Sequence, residues 1–106
     1  MNVTKLSIFL PAVLLCAGMA GHASADGAAL YKSKTCWSCH GKDARTPLLP
    51  TYPRLAGQNA DYAFNQMKDI KSGTRANGQS AAMQGVMALV NDAEMREIAD
   101  WLATLK

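Results

Sequence analysis

The sequence predicts an all-α domain, and three observations carry that reading. Apolar residues recur at helical spacing in two stretches: Ala63, Met67 and Ile70 in one, Met95, Ile98, Leu102 and Leu105 in the other. No alternating or β-branched run reads as a strand. The only compact chemical signature, Cys36-Trp37-Ser38-Cys39-His40, sits between helical segments with no strand before it. A hydrophobic share of 49% and a charged share of 18% lie in the globular range, which excludes a disordered tail, a collagen-like repeat and a low-complexity linker.

The first 25 residues stand apart from this domain. One charge at Lys5 precedes the apolar run Leu6 to Ala20, and Ala23-Ser24-Ala25 offers a small-x-small exit, so residues 1–25 read as a cleaved signal peptide. An uncleaved anchor is the weaker reading, because Pro11 and Gly18 interrupt the run. Cys16 would mark a lipoprotein only if cleavage fell before it, and Leu15 is a poor residue for that position. Cleavage after Ala25 leaves residues 26–106, 81 in all, with ten Lys and Arg against eight Asp and Glu. That balance is too mild, and too unclustered, for nucleic acid.

The elements follow in order. Asp26 caps a first helix from Gly27 to about Thr35, with Leu30 and Tyr31 as its larger apolar residues. The Cys-x-x-Cys-His motif comes next. Gly41 to Gln58 holds Pro47, Pro50 and Pro53 and reads as loop with one tight turn. Asn59 caps a helix that runs to about Ser72 and stops at Gly73. Thr74 to Ser80 is polar and irregular, and Ala81 to Val90 reads as one further helical turn. Asn91, with Glu94 three residues on, opens a capping-box helix to about Leu105.

An 81-residue chain is marginal without a staple. Zinc needs four ligands, whereas Cys36, Cys39 and His40 make three, and His22 leaves with the signal. A thioredoxin-like motif belongs in a βαβ setting, which is missing here. A disulfide across two residues closes too small a loop to stabilise much. Covalent haem attachment fits: two thiols at this spacing reach two vinyl groups of one porphyrin edge, and the next residue, His40, binds iron from below. One haem c, held by two thioethers, is therefore the expected cofactor, and its apolar plate supplies the missing core. The other axial ligand has to be sought among Met67, Met83, Met87 and Met95, since residues 26–106 hold no second histidine. Met67 and Met95 lie on core stripes, while Met83 and Met87 lie in the less regular stretch.

On these residues the chain resembles class I cytochromes c over all of Asp26 to Lys106. The order is helix, Cys-x-x-Cys-His, proline-bearing loop, helix, methionine-bearing loop and terminal helix. Pro53-Arg54-Leu55-Ala56-Gly57-Gln58 is similar to the P-x-L-A-G-Q segment of small bacterial periplasmic cytochromes c, including those with tandem haem domains. The resemblance implies a small cytochrome c fold, a close crossing of the first and last helices at Gly27, Tyr31 and Trp101, and a periplasmic location. It implies Met83, nine residues before Asp92, as the distal iron ligand, with Met87 the runner-up. It also implies a loop proline carbonyl behind His40, with Pro53 ahead of Pro47 and Pro50. Arg54 and Arg75 are candidates for haem propionates or plain surface charges. Lys32, Lys34, Lys42, Lys68 and Lys71 are interleaved with Asp43, Asp61 and Asp69, so a mixed solvated surface is favoured over a basic docking rim.

The function expected is one-electron transport between redox proteins, not catalysis, because iron with both axial positions filled cannot bind substrate. Alternatives are the haem subunit of a larger exported dehydrogenase, such as one with a flavoprotein partner, and an open-site peroxidase or gas-binding haem protein. A membrane-bound oxidase or reductase is a further expected electron partner.

Overall fold

The computed structural model describes residues 26–106. The expected signal peptide, its expected exit at Ala25 and Cys16 lie outside the described residues. Five helices make up the fold: α1 (Gly27–Ser33), α2 (Cys36–His40), α3 (Ala60–Ser72), α4 (Ser80–Met87) and α5 (Asp92–Thr104). Among the described residues there is no strand, in agreement with the expected all-α class.

Three of the helices start where their caps predict. The Asp26 carboxylate accepts from Ala28 N–H at 3.0 Å, and the Asn59 side chain accepts from Tyr62 N–H at 3.0 Å. Asn91 and Glu94 form the full capping box of α5, with bonds of 2.8 and 3.0 Å. Gly73, at φ 82°, ends α3 in the left-handed region.

Two boundaries differ from the sequence expectation. The first helix ends at Ser33, not Thr35, because Thr35 takes φ 63° and breaks the chain direction. The motif then forms its own turn of helix, α2, stopped by Gly41 at φ 88°. The segment 81–90, expected to hold one turn, carries seven of the eight residues of α4, which already begins at Ser80 in the stretch expected to be irregular. It has no side-chain cap at Gln79, and Gly85 interrupts its pattern; strong helix formers such as Ala81, Ala82, Met83 and Gln84 nevertheless sustain it.

α5 packs on both α1 and α3, and α4 packs on α3. At the α1–α5 crossing a Cβ on Gly27 would collide with the Glu97 carbonyl and the Trp101 Cβ, so only glycine admits this approach. The Tyr31 and Trp101 rings lie 5.0 Å apart, tilted by 50°. Met95, Ile98, Ala99 and Leu102 of α5 are buried beside Tyr31 and Ile70. The proline-bearing loop is tied down as well. The buried Ala44 gives its carbonyl to Leu55 N–H and Ala56 N–H at 2.9 and 3.0 Å, and Gly57 N–H donates to the Leu102 carbonyl at 2.9 Å.

Candidate functional site

α2, the loop that follows it, α3 and α4 enclose one cavity of about 530 Å³. α2 contributes Cys36, Cys39 and His40; α3 contributes Met67 and Ile70; α4 contributes Met83, Val86 and Met87. The lining is mainly apolar, with a few polar groups at fixed places, as a large apolar prosthetic group requires.

His40 is buried, and its Nδ1 lies 3.0 Å from the Pro53 carbonyl oxygen. A carbonyl only accepts, so Nδ1 carries the proton and Nε2 keeps its lone pair for a metal. Burial holds the pKa of His40 below the ordinary imidazole value, against the opposing pull of the Pro53 bond. The imidazole is thus neutral, the form that ligates iron. Of the three loop prolines it is Pro53 that meets the ring. Two anchors place its carbonyl: the Ala44 carbonyl holds Leu55 and Ala56, and Leu48 N–H donates to the Cys39 carbonyl at 2.9 Å. Tyr31 Oη adds a bond of 2.5 Å to the Gly41 carbonyl, fixing the exit of α2 from the α1 side.

Cys36 and Cys39, three residues apart on α2, are both free thiols bordering the cavity. Cys36 is half-buried, and burial pushes its pKa up to about 11; Cys39 is exposed. One edge of a bound group would therefore reach the surface beside Cys39, where Trp37, Leu48 and Leu49 are also exposed. Among the described residues no three His, Cys, Asp or Glu side chains converge as a metal site.

The methionines divide by burial. Met95 has no exposure and stays in the core away from the cavity; Met67 is buried on the core stripe and also borders the cavity. Met83 and Met87 stand one turn apart on α4, and both border the cavity. Met87 is 1% exposed and fully engaged in the core, whereas Met83 is half-buried against its edge. Sequence reasoning missed the double duty of Met67 and Ile70, since a core stripe and a cofactor wall share one helical spacing.

Arg54 and Arg75 both border the cavity. Arg75 is held in place by a 2.9 Å bond from Nη1 to Gln66 Oε1. Three of the five lysines considered for a basic rim are engaged within the fold. Lys34 pairs with Glu94 at 3.2 Å, Lys68 with Asp92 at 3.6 Å, and Lys71 donates to the Val90 carbonyl at 2.6 Å.

The cytochrome c family model matches residues 24–106. The chain belongs to the cytochrome c family. Cytochrome c4 of Pseudomonas aeruginosa is 38% identical over 100 residues, covering 92% of this chain and 48% of that protein. Cytochrome c-553 of Nitratidesulfovibrio vulgaris is 34% identical over 88 residues, covering 83% of this chain and 84% of its own length. A thiosulfate dehydrogenase electron acceptor of Stutzerimonas stutzeri is 35% identical over 89 residues, covering 77% of this chain and 40% of that protein. The chain thus spans about half the length of the cytochrome c4 relative. As a cytochrome c domain it binds haem c covalently and belongs to electron transfer. The cavity fits that group: an imidazole with a free Nε2, two free thiols on one helix and methionine thioethers share a single apolar space. Among the described residues no helix is long and apolar enough to cross a membrane.

Proposed function

We propose that the chain is a periplasmic one-electron carrier with a single haem c, bound through Cys36 and Cys39 and ligated by His40 and Met83. The observation that carries this reading is the His40 Nδ1 to Pro53 carbonyl bond of 3.0 Å, in a cavity shared with the thiols and with Met83. When bound, haem c supplies an iron that gains or loses one electron. The protein's part is to fix its surroundings. His40 presents Nε2 in one tautomer, and a proton on Nδ1 held by a carbonyl raises the basicity of the ligand. Met83 offers a soft thioether, which raises the reduction potential relative to harder ligands. Arg54 and Arg75 border the cavity, and their guanidinium groups would pair with the propionates. Helices packed on a rigid plate keep structural change between oxidation states small. The exposed edge at Cys39 is where an electron enters or leaves. Residues 1–25 act as the export signal, cleaved after Ala25, which puts haem attachment outside the cytoplasm.

Absorption spectra of the exported protein test this proposal. Dithionite reduction should give a sharp low-spin spectrum, and the ferric form a sulfur-to-iron charge-transfer band. Met83→Ala should abolish that band and let the ferrous protein bind carbon monoxide. A high-spin wild-type spectrum would instead indicate an open distal face and ligand binding or catalysis.

A second reading has its own observation, the similarity to a thiosulfate dehydrogenase electron acceptor. In that reading the chain receives electrons from an exported dehydrogenase. Stable co-purification with a larger redox chain would favour it; a monomer reduced equally well by unrelated donors would count against it.

A further inference from the structure

The turn between α4 and α5 is gripped from outside by two lysines. Lys34 Nζ donates to the Leu89 carbonyl at 2.9 Å, and Lys71 Nζ donates to the Val90 carbonyl at 2.6 Å. The lysines come from different helices: Lys34 is the C-cap of α1, and Lys71 lies in the last turn of α3. Glu94 steadies the first of them at 3.2 Å while serving the α5 capping box. Two ammonium groups therefore meet carbonyls just beyond the negative end of α4.

Three backbone bonds also hold the turn, from Ala88, Leu89 and Val90 N–H to the Gln84, Val86 and Met87 carbonyls at 3.0, 3.0 and 3.1 Å. Val90 is buried, but Leu89 is 73% exposed. The other end of α4 is looser, since Gln79 makes no side-chain cap and residues 76–79 are exposed. The C-terminal end is thus the fixed end of a short rod bearing Met87 and, one turn up, Met83. Four residues of helix span about 6 Å, and an eight-residue helix passes a displacement at its foot on to that side chain. An exposed ion pair such as Lys68–Asp92 contributes little. The part-buried bond from Lys71 to the Val90 carbonyl, with its charged donor, contributes more.

We propose that Lys34 and Lys71 are positioning residues for the distal methionine, clamping the foot of α4 so that the Met83 thioether stays within reach of iron. The proposal rests on the His/Met reading above. The test uses holoprotein with Lys34→Leu, Lys71→Leu, both together, and Lys71→Arg. Urea titrations of the ferric proteins follow the sulfur-to-iron band alongside the far-ultraviolet helix signal, and carbon monoxide uptake is timed on the ferrous forms. In the double variant the band should vanish at clearly lower urea than the helix signal. Carbon monoxide uptake should rise about tenfold, the size of one lost charged hydrogen bond. Each single leucine variant should show part of the effect, and Lys71→Arg should restore wild-type behaviour. Band and helix signal lost together, with uptake unchanged, would reduce the lysines to a plain stability role and overturn the proposal. A wild-type protein with no band would overturn the His/Met reading itself, and the clamp with it.

Discussion

Met83 and Met87 look interchangeable in the sequence, and burial is what separates them. Met87 is 1% exposed and packs in the core, so truncating it leaves a cavity. Met87→Ala should lower stability by about 2–5 kcal/mol, as for other buried large-to-alanine changes, while the sulfur-to-iron band survives. Met83→Ala should do the reverse, losing the band at a smaller cost in denaturant midpoint, because its side chain is only half-buried. If Met87→Ala alone removes the band, the ligand assignment moves to Met87. His40 and the two thiols were legible because their spacing is covalent chemistry written along the chain. Pro53 was legible only by resemblance. Nothing in a proline's neighbours says which of three carbonyls will face a ring 13 residues away.

Helix ends were legible where a capping side chain or a glycine closes them and not where another residue turns the backbone. Asp26, Asn59 and Asn91 cap as their residue types predict, and Gly73 stops α3. The break at Thr35 was hidden, since threonine rarely adopts a positive φ. α4 was underread because it lacks a cap and carries Gly85, although its residues favour helix. The α1–α5 crossing gives a sharp prediction. Gly27→Ala should cost about 1–3 kcal/mol, since the added Cβ meets the backbone carbonyl of Glu97, which cannot swing aside. Chemical denaturation of the holoprotein would measure it, and an unchanged midpoint would mean that the helices separate at little cost. The α5 capping box gives a pH prediction. The Asn91 N–H, and then the Lys34 side chain, hold the Glu94 carboxyl below its ordinary range. A carboxyl whose pKa is depressed on folding stabilises the fold above its unfolded value, and that contribution fades as pH falls through the folded value. Urea midpoints of wild type and Glu94→Gln should therefore differ at pH 7, begin to converge as pH falls past the ordinary glutamate value of about 4.3, and meet only below the lower folded value.

At the scale of the molecule, the cavity decides what this chain is without its cofactor. The described domain of residues 26–106 surrounds about 530 Å³ of space lined mainly by apolar side chains. Without a bound group that apolar lining would face water, and each Å² of it left exposed forfeits about 25 cal/mol of burial. Domains of this size are stable by only about 5–15 kcal/mol in total. The buried cluster that would have to resist collapse is small. Met67, Ile70 and Met87 face the cavity on one side while packing in the core on the other. Removing the plate would expose to water the same side chains that hold α4 to α3 and α3 to α5. The haem-free protein, made as Cys36→Ala/Cys39→Ala or expressed without the attachment machinery, should therefore be largely unfolded. Its amide spectrum should be poorly dispersed, and its helix signal should fall well below that of the holoprotein. A well-dispersed spectrum would mean that the α1–α3–α5 core stands alone and that the cofactor fills a fold it does not build.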